Sequence, residues 1–311
     1  MHMKDIRIVF MGTPDVAVAS LDALVRAGFN VVGVVTAPDK PAGRGMKITE
    51  SAVKKYALEN NLHLLQPQKL KQVECIEALR SLNADLQIVV AFRMLPEIIW
   101  TMPPMGTINV HGSLLPNYRG AAPINWAVIN GENETGVTTF KLKHEIDTGD
   151  ILLQERMLIG ENETATEIHD RMKIIGANLL VKTIHGLLEG VIVEQPQQMN
   201  NELPKHAPKI FTKDCEINWN NSVSNIHNQI RGLSVFPGAI TYLEEKIIKI
   251  YKSEKELINH SHPIGSIISD GKTFLKFACK DGFIHLIDIQ MEGKKRMLIT
   301  DFLRGYRVSI S

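Results

Sequence analysis

The first half of the chain switches repeatedly between two hydrophobic periods, and that alternation restricts its fold more than any other feature. Ile6-Arg7-Ile8-Val9-Phe10 is a short apolar run closed by Gly12 and Pro14. Residues 16–27 then carry Leu21, Leu24 and Val25 at helical spacing and stop at Gly28. Val31–Val35 is continuously apolar and mostly β-branched, the pattern of a strand buried on both faces. Helices are expected over 51–60 and 73–82, and strands over 85–91 and 107–111. Two more strands are expected over 136–142 and 151–154, and a helix from about 164 to 185. Strand–helix alternation of this kind predicts a mostly parallel sheet covered by helices.

Between Gly190 and Pro208 the texture changes. Gln195-Pro196-Gln197-Gln198, Asn200-Asn201 and two further prolines predict an extended linker. Beyond it, helical spacing occurs once, near 222–233. Short alternating strands follow at 239–243, 247–251, 264–269, 273–277 and 283–289. Strands of this length separated by Gly, Asp and Asn predict a small barrel or sandwich, with an OB-like barrel as one candidate. The expected architecture is thus α/β: a Rossmann-like N-terminal domain over 1–189, a linker over 190–207, and an OB-like β-barrel domain over 208–311.

Composition excludes several classes. With 311 residues the chain has room for two ordinary domains. No apolar run approaches the ~20 residues that span a bilayer, so no membrane partner is expected. Cys75, Cys215 and Cys279 lie far apart, without a CxxC pair, which argues against a disulfide framework or a thiolate zinc site. Met1-His2-Met3-Lys4-Asp5 leads straight into a strand and lacks the features of a secretory signal, so a cytoplasmic location is expected. The net charge of +1 conceals an asymmetry: residues 1–207 balance to −3 and residues 208–311 to +4. A basic C-terminal segment can hold a polyanion by releasing its counterions, although a scatter of solvated surface charge would look the same.

The chemistry is narrowed by what the turns contain. The first strand–helix turn, Phe10-Met11-Gly12-Thr13-Pro14-Asp15, has one glycine and then a proline, too few glycines for a dinucleotide pyrophosphate. No P-loop and no HExxH pair is present, so metal catalysis has no positive support. Asn109 and His111 differ. They lie two apart at the C-terminal end of a strand, so both side chains share one face where open α/β sheets place ligands. An amide can donate to a developing oxyanion and an imidazole can shuttle a proton, the pairing that acyl transfer needs. A capped strand end with a satisfied histidine is the structural alternative. Asp147-Thr148-Gly149-Asp150 could supply a carboxylate to orient His111, or could be an Asx turn with Gly149 left-handed. Residues 37–47 form a long loop with two prolines, two glycines and the cations Lys40, Arg44 and Lys47, suited either to a phosphodiester backbone or to solvent.

Together these segments resemble a family. Asn109-Val110-His111-Gly112-Ser113-Leu114-Leu115-Pro116, then Tyr118-Arg119-Gly120-Ala121-Ala122-Pro123-Ile124, then Asp147-Thr148-Gly149-Asp150, are similar to the signature of folate-dependent formyltransferases. The start at Phe10–Pro14, the basic loop 38–47, Ala207-Pro208-Lys209-Ile210 with Ile217-Asn218-Trp219, and the stretches 293–297 and 302–305 resemble the branch that acts on initiator methionyl-tRNA. The resemblance covers nearly the whole chain.

It implies a catalytic triad of Asn109, His111 and Asp147, and a folate site lined by Ser113, Leu114, Leu115 and Pro116 together with Arg93, Met94 and Leu95. It implies tRNA contacts from Lys40, Arg44 and Lys47, with Arg44 the principal one. The co-substrate would be 10-formyltetrahydrofolate, the acceptor the α-amine of methionine on initiator tRNA, and the enzyme a monomer without a metal. One departure stands out: Ala91-Phe92-Arg93-Met94-Leu95-Pro96 has Arg93 where this branch has glycine, as in the branch acting on glycinamide ribonucleotide. Arg93 is therefore expected to point away from the pterin or to pack over the pocket rim. Two alternatives remain at this point: a formyltransferase for a small amine such as a sugar nucleotide or ribonucleotide, and a nucleic-acid-binding protein with an inert α/β domain.

Overall fold

The two central strands explain the continuous apolar runs, because each is covered on both faces. The computed structural model describes residues 5–42, 47–198 and 203–307. In chain order the elements begin β1 (Arg7–Gly12), α1 (Asp15–Arg26), β2 (Asn30–Val35), β3 (Lys40–Ala42), β4 (Lys47–Thr49) and α2 (Ala52–Glu59). There follow β5 (Leu64–Leu65), α3 (Val73–Ser81), β6 (Leu86–Val90), α4 (Glu97–Trp100), β7 (Thr107–His111) and β8 (Arg119–Gly120). Next come α5 (Pro123–Ile129), β9 (Glu134–Lys141), β10 (Ile151–Leu158), α6 (Ala165–Leu188) and β11 (His206–Ala207). The remainder is α7 (Val223–Leu233), β12 (Ala239–Leu243), β13 (Lys246–Leu257), β14 (Ile267–Ser269), β15 (Leu275–Cys279), β16 (Gly282–Met291), β17 (Met297–Leu298) and α8 (Ile299–Gly305).

These elements form two compact units. The first takes residues up to 119 with 136–157 and 170–205; the second takes 120–135, 158–169 and everything from 206. In the first, a seven-stranded sheet runs in the order β10-β9-β7-β6-β1-β2-β5. β1, β2, β5, β6 and β7 pair in parallel, and β9 turns antiparallel against β7. Alternate residues of β1 enter opposite cores, as the two-residue period of a strand requires. Ile8 and Phe10 join Val34, Leu86, Ile88 and Ile108 under α1, α2 and the later part of α6. Val9 and Met11 join Val35 and Val89 under α3 and α4, with Leu79 and Ile99 filling that side. The sheet is thus doubly wound and mostly parallel, in agreement with the sequence.

In the second unit the antiparallel order is β12-β13-β16-β15-β14, with β17 on β16, giving a curled half-barrel that matches the OB-like expectation. β13 runs twelve residues, longer than the 247–251 expected, because its polar second half pairs along β16. Two register shifts between Ile250 and Ser253 let this long strand bend. The core is filled by Ile226 and Ile230 of α7 with Ile248, Ile250, Phe277, Ile284 and Ile289, and Trp219 stacks flat on Phe277 at 4.2 Å. α5 crosses α7 at Gly232, where an added Cβ would come within 2.5 Å of the Ile129 side chain and 2.9 Å of its backbone nitrogen. His227 of α7 is buried there, bonded to Ser253 on one ring nitrogen and to Asn162 on the other, both at 3.0 Å.

The segment expected as a loop over 37–47 is not plain loop among its described residues: β3 pairs antiparallel with β4. Its root is fixed by Asp39, whose carboxylate is paired with Lys54 and also accepts from Gln66 at 2.9 Å. Those two bonds hold the Asp39 carboxyl below its ordinary range. Lys40 is exposed on the hairpin. Arg44 and the Lys47 side chain lie outside the described residues.

Candidate active site

The strand order of the first unit fixes where a ligand can sit. From β1 the chain builds outward through β2 to β5, then returns to the other side of β1 for β6 and β7. Such a reversal leaves a crevice beyond the C-terminal ends of the two strands it separates. Ala91–Leu95 leaves β6 at that place, and β7 lies next to it, with Val89 paired to Asn109. Asn109 and His111 share a strand face, and β9 backs them through Phe140 and Thr138. The Asn109 side-chain amide has no hydrogen-bond partner among the described residues, whereas His111 is held closely.

His111 is buried, and its Nε2 lies 2.8 Å from the Tyr118 carbonyl oxygen. A carbonyl only accepts, so Nε2 carries the proton. The other nitrogen, Nδ1, is then the one left to gain or give a proton, and it faces Asp147 Oδ2 at 3.8 Å. The structure therefore brings Asn109, His111 and Asp147 to one end of the sheet, although His111 and Asp147 are 36 positions apart in the chain.

Asp147 reaches this place by an uncommon backbone conformation. Its φ is +56°, in the left-handed region, which Asp tolerates better than most residues. Gly149 is not left-handed; it is needed for space instead. A Cβ there would fall 1.6 Å from the Lys141 carbonyl oxygen. The neighbouring Asp150 is occupied by Lys143 at 2.7 Å, so of the two carboxylates in this motif Asp147 is the one facing His111.

The turn after β7 is built from within. Thr138 Oγ1 donates to the Ser113 carbonyl at 2.7 Å and accepts from Leu115 N at 3.1 Å. Gln154 Nε2 donates to the Leu115 carbonyl at 2.9 Å, and Ser113 Oγ donates to the Asn117 carbonyl at 2.7 Å. The side chains of Ser113 and Leu115 are thus buried in the turn, while Leu114 and Pro116 are partly exposed. Leu115-Pro116 is a cis peptide. On β6's side of the crevice Met94 is 74% exposed. The Arg93 guanidinium donates to the Pro67 and Gln68 carbonyls, at 2.5 and 2.9 Å, and lies 5.6 Å from the Phe92 ring.

One residue of this region has no sequence signal. Gln197 lies in the run expected to be linker, yet its Nε2 donates at 2.8 Å to both the Asp147 and the Gly149 carbonyls. Its Oε1 accepts from Arg119, and Gln195, two residues earlier, exchanges backbone bonds with Ile151. Among the described residues, no group of three or more His, Cys, Asp or Glu is placed to hold a metal ion.

Residues 6–184 match the formyl transferase family, and residues 209–307 match its C-terminal domain. The chain belongs to the formyltransferase family. Within it, the chain is similar to proteins named methionyl-tRNA formyltransferase. It is 52% identical over 317 residues to that of Bacteroides fragilis and 49% identical over 311 residues to that of Flavobacterium johnsoniae, in each case covering 99% of this chain and 98% of the relative. Among solved structures, the sugar 3N-formyl transferase WlaRD has a TM-score of 0.65 at 23% identity, covering 95% of this chain and 100% of that one. HypX from Aquifex aeolicus, crystallised with tetrahydrofolic acid, has a TM-score of 0.65 at 17% identity; it covers 98% of this chain and 49% of HypX. Both likenesses concern the fold.

Proposed function

We propose that this chain transfers the formyl group of 10-formyltetrahydrofolate to the α-amine of methionine carried on initiator tRNA. The observation that carries the reading is the near-full-length identity of about half to proteins named for that reaction, through both the N-terminal and the C-terminal matches. In this reading residues 1–189 carry the chemistry, 190–207 connect, and 208–311 hold the tRNA.

Asn109, His111 and Asp147 are the catalytic residues of this reading. The amine nitrogen attacks the formyl carbon, and the carbonyl oxygen becomes an oxyanion. The free amide of Asn109 donates to it, and the protonated imidazole of His111 balances its charge. Asp147 keeps His111 in place and receives the proton that the amine loses. The tetrahedral intermediate then collapses with cleavage of the bond to folate N10, which takes up a proton. The 3.8 Å gap between His111 and Asp147 supports this arrangement, since catalytic hydrogen bonds are often long before substrate arrives.

Folate is held between the Ser113–Pro116 turn and Arg93–Leu95, with exposed Met94 and half-buried Leu114 offering apolar surface and Ser113 and Leu115 shaping the turn from inside. Lys40, Arg44 and Lys47 meet the tRNA backbone. The enzyme works as a monomer, in the cytoplasm, free of membrane. No helix among the described residues is long and apolar enough to cross one.

The fold likeness to sugar formyltransferases keeps a small-amine acceptor as the second reading. Formyl transfer from 10-formyltetrahydrofolate, with initiator and elongator methionyl-tRNA in competition, separates the two. Strong preference for the initiator is expected. Folate turnover with neither tRNA formylated would move the enzyme to the small-amine reading.

A further inference from the structure

The geometry points to Gln197 as a positioning residue for the catalytic carboxylate, acting from a segment that the sequence presents as linker. This rests on the function proposed above. The orientation of the Gln197 amide is forced by its neighbours. Arg119 can only donate, so Oε1 must face its Nε and Nη2. The carbonyls of Asp147 and Gly149 can only accept, so Nε2 must face them, at 2.8 Å each. One side chain therefore closes four hydrogen bonds, with no choice of flip.

What the amide holds is the part of the turn least able to hold itself. Asp147 is left-handed at φ +56°, a conformation that costs a non-glycine residue free energy and persists only where neighbours enforce it. Both of the Gln197 donor bonds fall within this turn, one on Asp147 itself and one on Gly149, which is pressed against the Lys141 carbonyl. The same segment is tied on its other side by the ion pair of Glu194 with Lys141 at 2.6 Å and by the Gln195–Ile151 backbone bonds. Gln197 is also the one residue from 193 to 198 that is not exposed. Arg119, half-buried just after the Tyr118 that bonds His111, fixes the far end of the amide. The two carbonyl-linked halves of the site are thus joined: Tyr118 orients His111, and Arg119 through Gln197 orients Asp147.

The test replaces the donor without removing the partner. Gln197→Glu keeps an acceptor for Arg119 but offers no donor to the two carbonyls; Gln197→Met offers neither. Each is measured for steady-state formylation of initiator methionyl-tRNA in the full chain, alone and combined with Asp147→Asn. With Asp147 present, kcat is expected to fall about 10- to 100-fold, the loss that a displacement of about 1 Å produces. The KM values for tRNA and folate should stay within about twofold. With Asp147→Asn, the same changes at Gln197 should cost kcat less than about twofold, because a residue acting through Asp147 has nothing left to position. Equal losses in both backgrounds, or full kcat in Gln197→Glu, would overturn the inference. A Gln197 variant that does not fold would be replaced by Arg119→Lys in the same cycle, since it loosens the far end of the amide. Failure of the unaltered chain to formylate the tRNA would reject the proposed function instead, a separate outcome.

Discussion

His111 Nδ1 lies 3.8 Å from Asp147 Oδ2 while His111 Nε2 is held at 2.8 Å by the Tyr118 carbonyl. The short contact fixes the ring and its tautomer. The long one places the other ring nitrogen beside a carboxylate, beyond hydrogen-bond distance of it.

Asp147→Asn keeps the shape of the side chain and removes its charge and its capacity to take a proton. We expect kcat for formyl transfer to fall by roughly 10²- to 10⁴-fold, with tRNA affinity little changed. Asn109→Ala removes a donor to the oxyanion and should cost about 10²- to 10³-fold in kcat. Steady-state kinetics on both variants, with tRNA binding measured separately, would check this. Full activity in either would remove that residue from the triad.

Gly149→Ala tests whether the turn must pass this close to β9. The new methyl would meet the Lys141 carbonyl oxygen at 1.6 Å, so one of the two backbones has to move. The expected result is a folded enzyme whose kcat falls at least tenfold, as Asp147 shifts with the turn. Retention of wild-type kcat would show that the turn can relax without moving the carboxylate.

Affinity for tRNA should fall as salt rises, with log K linear in log salt, because cations meet phosphates. Arg44→Ala should raise KM for tRNA while leaving that for folate unchanged, and should lower the salt slope by about one. Binding titrations over a series of salt concentrations give both numbers. A flat salt response would reject the electrostatic account of the basic segment.

His227 gives the stability of the second unit a pH dependence. Burial, with Lys255 and Arg231 nearby, pushes its pKa down to about 4, against the opposing pull of Glu161. The unfolded chain protonates this imidazole near 6.5. Between those values the unfolded state binds more protons than the folded one, so stability is complete above about 6.5 and falls as pH drops towards 4. The loss by pH 4 should be on the order of 3 kcal/mol. Denaturant unfolding of the wild type and His227→Gln, compared at pH 7 and pH 4.5, would measure it; an identical slope in both would exclude His227 as the source.

Much of this was legible in the residue order. β1, β6 and β7, and helices α1, α2, α3 and α6, follow from hydrophobic periods of two and 3.6, which are local properties of the chain. That Asn109 and His111 share a face follows from the same two-residue period. The short helix α5 was hidden, because seven residues barely complete two turns. The second half of β13 was hidden as well, because Lys-Ser-Glu-Lys-Glu carries no apolar alternation and becomes a strand only by pairing with β16. Pairing β3 with β4 likewise turned an expected loop into a hairpin.

The sequence by itself thus determined the doubly wound sheet and the strand end that carries Asn109 and His111. Only the tertiary structure decided that Asp147 faces His111, that the Tyr118 carbonyl selects the protonated nitrogen, and that Gln197 reaches back to hold the Asp147 turn. The division has one physical cause. Periodicity records which way a side chain points from its own backbone, whereas these contacts join residues from 7 to 50 positions apart, and their distances are set by how strands and turns come together.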